Sequence, residues 1–130
     1  MANELILIVE DNEQNLKLAR DLLQVHGYRT IEAQTGEQAL AIARDQMPDL
    51  VVMDIQLPGM SGIEALARLR ALPAVRHIPV LAFTASVMPQ DRREIMAAGF
   101  DDFVAKPIAL QDFIGTVVAL LGKPSATKAP

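Results

Sequence analysis

Along the whole chain short apolar runs alternate with amphipathic stretches, and this alternation restricts the fold to βα units wrapped around a buried parallel sheet. Five such units can be placed. Strands β1 to β5 are predicted near residues 5–10, 29–33, 49–54, 79–84 and 101–105, and helices α1 to α5 near 12–26, 36–47, 62–71, 89–98 and 109–121. Three of the apolar runs end in charge: Leu5 to Val9 in Glu10 and Asp11, Leu50 to Met53 in Asp54, and Phe103 to Ala105 in Lys106. As neighbouring parallel strands they would present their carboxyl ends at one edge, where open α/β sheets bind ligands.

Helix termini carry their own signals. Asn12 is a candidate cap for α1, whose Leu16, Ala19, Leu22 and Leu23 recur at helical spacing before Gly27. Thr35 with Gln38, and Ser61 with Glu64, each match a capping box. Pro89 suits the first turn of α4 and Gly99 its end, while Leu110, Phe113, Ile114, Val117 and Leu121 are expected to form the buried stripe of α5. Only Ala109 is a poor cap. The length of 130 residues suits one domain over 1–121, and 122–130, mixing Gly, Pro, Ser, Thr, Ala and Lys, is expected to be a frayed tail.

Composition excludes several functions. The chain has no cysteine, hence no disulfide framework, thiolate zinc site or thiol nucleophile. A formal charge of −4 with scattered Lys and Arg gives no basic field for nucleic acid. The first apolar run lacks a basic leader and falls well short of the ~20 residues that span a bilayer, so membrane insertion is not expected and the chain reads as cytoplasmic.

At the charged rim, Glu10, Asp11 and Asp54 would bring three carboxylates together, and like charges in a partly desolvated place resist joint ionisation. Lys106 offsets one charge, and a divalent cation with hard oxygen ligands, of the kind magnesium prefers, closes the difference. No histidine or cysteine lies in the cluster, which argues against zinc. Acids merely ending strands in solvent would be ordinary, but Asp54 ends a continuous apolar run, where an unpaired charge is expensive. Thr84 closes the fourth run and adds a hydroxyl, and the small Ala85 beside it leaves room for a group to approach. One carboxylate nucleophile, two metal-binding carboxylates, a lysine and a hydroxyl make an apparatus for transferring a phosphoryl group onto Asp54.

These residues resemble the CheY-like receiver domains of bacterial two-component response regulators, over roughly residues 4–121. Glu10-Asp11 is similar to the family's acidic pair, Asp54 to its phosphoacceptor, Thr84 to its hydroxyl residue and Lys106-Pro107 to its lysine and following proline; Pro58 and Gly62 also fit. The resemblance implies an α/β, flavodoxin-like (βα)5 fold, a doubly wound five-stranded parallel sheet in the order 2-1-3-4-5. It implies Mg2+, or Mn2+, held by Asp11, Asp54 and the Gln56 backbone carbonyl, with Glu10 acting through water. It implies a cis bond before Pro107, Thr84 and Lys106 bonding phosphoryl oxygens, and Phe103, three positions before the lysine, swinging behind Thr84 as a switch. Gln56 and Ser86 occupy positions that tune hydrolysis in the family.

The implied role is that of a single-domain regulator, most like those of cell cycle or motility, catalysing only its own phosphorylation and dephosphorylation. The partners implied are a histidine kinase or histidine phosphotransfer protein as donor, and downstream proteins bound through the α4-β5-α5 face, by a monomer or weak dimer. A phosphorelay shuttle and the receiver of a hybrid kinase use the same residues. A flavodoxin-like nucleotide or flavin binder fits less well, because residues 11–14 offer acids and amides where a phosphate wants backbone donors. A phosphoaspartyl phosphatase usually has a second aspartate two residues after the nucleophile, where this chain has Gln56. His26 suits the dipole at the end of α1, His77 lies in a loop before Pro79, and the dispersed methionines 47, 53, 60, 88 and 96 read as gap fillers.

Overall fold

The computed structural model describes residues 3–85 and 88–122. Five βα units follow one another: β1 (Leu5–Val9), α1 (Glu13–Val25), β2 (Arg29–Ala33), α2 (Gly36–Gln46), β3 (Leu50–Asp54), α3 (Gly62–Arg70), β4 (Val80–Thr84), α4 (Pro89–Ala98), β5 (Asp102–Ala105) and α5 (Leu110–Gly122). All strand pairs are parallel, in the order β2-β1-β3-β4-β5. This is the doubly wound flavodoxin-like sheet, and its order reverses between β1 and β3, where the chain winds outward in both directions.

Two apolar layers cover the sheet. Ile6, Ile8, Leu50, Val52, Leu81, Phe83 and Val104 face α1 and α5, meeting Leu16, Ala19, Leu23, Phe113, Val117 and Leu120. Leu7, Val9, Val51, Met53, Val80 and Ala82 face the other way, against Ala39 and Ala43 of α2, Ala65, Leu66 and Leu69 of α3, and Ile95 of α4. Strands buried on both faces must be apolar at nearly every position, and β3 and β4 are buried throughout. At the edge away from the carboxyl ends, the Arg70 guanidinium donates to the carbonyls of Arg76, Ile78 and Gly99 and to Asp101, tying the end of α3 to the strands that follow.

Several local expectations need correction. The stripe of α5 is rotated: Leu110 is exposed, Leu120 is buried, and Ile114 and Leu121 are only partly covered, because the helix seats Phe113 and Val117 against Phe83 and Val104. Both capping boxes form only halfway. Thr35 Oγ1 accepts from Gln38 N, but Gln38 returns to Gln34 N, one residue upstream. Ser61 Oγ accepts from Glu64 N, while the Glu64 carboxylate pairs with Arg68, a charged partner one turn on. Met53 and Met60 fill the core, whereas Met47, Met88 and Met96 are exposed, Met47 in a left-handed C-cap of α2. Asn12 caps α1 through Asn15 N, and His26 follows that helix with Nδ1 2.9 Å from Leu22 O. The expected tail beyond Gly122 and Ser86 lie outside the described residues.

Candidate phosphoacceptor site

The sheet itself brings the charged residues together. The parallel ladder continues beyond the strands: Glu10 N donates to Ala33 O, Ile55 N to Phe83 O and Lys106 N to Thr84 O, at 2.8 to 3.0 Å. Glu10, Asp54, Thr84 and Lys106 therefore share one rim. The turn after Asp54 is held as closely. Gln56 N donates to Asp54 Oδ1 at 3.0 Å and Gly62 N to Ile55 O at 2.8 Å. A Cβ on Gly62 would stand 2.8 Å from Ile55 Cα and closer still to the Asp54 carbonyl oxygen, so no other residue fits there without moving the loop.

Glu10, Asp54 and Thr84 are the buried polar residues of the described core, and Glu10 is completely enclosed. Lys106 Nζ lies 3.0 Å from Asp54 Oδ2 and 2.9 Å from Glu10 Oε1, an ammonium bridging two carboxylates. Glu10 Oε2 accepts from Asn12 N at 3.1 Å. Oε1 receives the charge of Lys106 but no hydrogen bond of good direction, so a buried acceptor is left incompletely satisfied. Burial pushes the Glu10 carboxyl above the usual range; Lys106 and the Asn12 N–H oppose that rise, and the charge of Asp54 adds to it. Burial would lower the Lys106 ammonium, but Glu10 and Asp54 outweigh it and hold the group above its ordinary value.

Asp11 is exposed at the rim, and one carboxylate oxygen from each of Glu10, Asp11 and Asp54 lies within 4.8 Å of the others. Three hard oxygen donors without nitrogen or sulfur suit a small divalent cation. Beside them opens a cavity of about 240 Å³ lined by Asp54, Ile55, Gln56, Thr84, Ala85 and Lys106, and from the helices by Ile63, Asp91, Glu94 and Ile95. The helical contributors were missed in the sequence. Asp91, Glu94 and Ile95 share one helical face by their spacing, but the rotation of α4 against the sheet is not written in the spacing.

Thr84 and Phe103 lie on the same side of the sheet, on adjacent strands. Thr84 pairs with Ala105 and Ala82 with Phe103, so two alanines occupy the remaining corners of that patch. The Phe103 ring is partly buried against the α4 side, with the Arg92 guanidinium 5.3 Å from its centroid. The Lys106-Pro107 bond is cis. A second cavity, of about 520 Å³, opens between α4, β5 and α5 and is lined in part by Arg92, Phe103, Pro107, Asp112 and Gly115. Among the described residues, no helix is long and apolar enough to cross a membrane.

Known proteins share both sequence and fold. Residues 6–118 match the response regulator receiver domain model. The polar-differentiation response regulator DivK of Brucella ovis is 46% identical over 117 residues, 90% of this chain and 95% of that protein. Among solved structures, the receiver domain of a sensor histidine kinase from Pseudomonas aeruginosa, with a magnesium ion coordinated in its active site cleft, superimposes with a TM-score of 0.87 at 33% identity, covering 94% of this chain and all of that one. The chemotaxis protein CheY4 of Vibrio cholerae gives a TM-score of 0.85 at 26% identity, covering 92% and 99%. A family match over nearly the whole fold, joined to this acidic rim, establishes that the chain belongs to the receiver domains of response regulators, the phosphoryl-accepting signalling modules of two-component systems.

Proposed function

We propose that Asp54 is the residue phosphorylated, by a histidine kinase or histidine phosphotransfer protein, and that Mg2+ assists. The observation that carries this reading is the buried Asp54 carboxylate held by Lys106 at the floor of an open cavity, beside Asp11 and Glu10. The donor set fits the metal: Asp11, Asp54 and the backbone carbonyl of Gln56 would hold it, with Glu10 acting through water. When bound, the ion neutralises carboxylate charge and draws electron density from the phosphoryl oxygens. Mn2+ offers the same chemistry.

An Asp54 oxygen attacks phosphorus, the bond from phosphorus to the donor breaks, and an acyl phosphate remains on the protein. Lys106 then exchanges its bond to Asp54 for one to a phosphoryl oxygen, and the Thr84 hydroxyl donates to another. Drawing Thr84 inward clears the patch between Ala82 and Ala105, and Phe103 moves into it from beneath Arg92. This reshapes the cavity between α4, β5 and α5, the surface offered to downstream proteins. The protein acts as a switch in the cytoplasm, catalysing only its own phosphorylation and dephosphorylation, as a monomer or weak dimer. Label transferred from histidine-phosphorylated kinases to the wild type and absent from Asp54→Asn is the expected result. Transfer that survives the substitution refutes the assignment.

A further inference from the structure

The cavity above Asp54 is acidic beyond what binding a metal requires. Asp91 and Glu94 line it from α4, outside the Glu10-Asp11-Asp54 cluster, and Lys106 is the one cation among its described lining residues. Arg92, between them in sequence, turns away to stack on Phe103. The cavity and the neighbouring rim together hold five carboxylates and one lysine, so a bound divalent cation would still leave these side chains at a formal −2. Two of those acidic side chains, Asp91 and Glu94, come from α4 and line the cavity that contains Asp54 and Lys106.

We propose that Asp91 and Glu94 select the phosphodonor by the charge of its leaving group, favouring N-phosphoryl donors over acyl phosphates. This inference rests on the reading of Asp54 as phosphoacceptor. With an acyl phosphate, the bond from phosphorus to oxygen breaks and the oxygen keeps the electron pair, so an anionic carboxylate is released into a cavity lined by Asp91 and Glu94. With an N-phosphoryl donor, the bond from phosphorus to nitrogen breaks; the nitrogen keeps the pair and carries a proton, leaving as a neutral amine or imidazole. The first donor also approaches as a dianion and the second with less net charge. The same two side chains therefore repel one reaction in both directions and leave the other nearly untouched. Coulomb interactions across a solvated rim are modest and weaken with salt.

The experiment compares acetyl phosphate with phosphoramidate at saturating Mg2+ and matched ionic strength, following phosphorylation by intact mass. For Asp91→Asn/Glu94→Gln, the ratio of the acetyl phosphate to the phosphoramidate rate constant should rise by about fivefold at low salt and fall back toward the wild-type ratio near ~0.5 M salt. Because Asp91 lies in the first turn of α4, Glu94→Gln alone serves as the second variant, with a rise of about twofold expected. An unchanged ratio in both variants overturns the proposal. So does an equal rise with both donors. If neither donor labels wild-type Asp54, the phosphoacceptor reading itself fails and this inference falls with it.

Discussion

Replacing Lys106 by methionine keeps most of the stem and removes the cation, leaving Glu10 and Asp54 without their shared partner. Breaking a buried pair by deleting one member is severe because the other charge stays buried. Here the penalty has a ceiling, since Glu10 can escape it by taking a proton. Its ordinary value is 4.5; holding the carboxyl protonated at pH 7 spans about 2.5 units, and at 1.36 kcal/mol per unit that is about 3 kcal/mol. Burial already raises Glu10, and loss of Lys106 removes an opposing influence, so its folded value rises further. A carboxyl raised in the folded state binds its proton more tightly there. Its contribution to stability is complete below 4.5 and is lost as pH climbs through the folded value. Urea unfolding in EDTA should therefore give a loss of about 3 kcal/mol at pH 7, shrinking to under about 1 kcal/mol near pH 5. Millimolar Mg2+ should restore part of the loss at pH 7. A deficit equal at both pH values and indifferent to Mg2+ would refute the argument that the lost charge on Lys106, and the proton taken up by Glu10, set the penalty.

Other perturbations test separate parts of the structure. Mg2+ at about a hundred times its Kd should stabilise the protein by about 3 kcal/mol, seen as a raised Tm, and Asp11→Ala should abolish the rise. Gly62→Ala places a methyl against the backbone of Asp54 and Ile55; a loss of about 1–3 kcal/mol in urea unfolding and slower phosphorylation are expected. Phe113 is fully buried with its ring 5.3 Å from that of Phe83, so Phe113→Ala should cost about 3–5 kcal/mol in the same assay.

Much of the fold was legible because its strands are buried on both faces and read as continuous apolar runs, as in Leu50 to Met53 and Val80 to Phe83. Their charged or hydroxylic ends gave the rim. What could not be read is rotation and contact at a distance. Five apolar residues on α5 fit more than one facing direction, and Phe83 and Val104 decided between them. Glu64 had an acceptable capping partner in its own helix start and a better one in Arg68. Asp91 and Glu94 resembled any solvated helical acids until α4 was placed over β4 and β5. Arg92 stacking on Phe103 had no local signature, since the two residues lie on different elements.

The central claim is chemical: one carboxylate, Asp54, becomes an acyl phosphate with the help of a metal held beside it. Incubation with phosphoramidate and Mg2+, followed by intact mass and peptide mapping, tests it most directly. One phosphoryl group on Asp54, lost when EDTA replaces Mg2+ and absent from Asp54→Asn, is the expected result. A phosphoryl group on another residue, or on Asp54 at the same rate in EDTA, would contradict it.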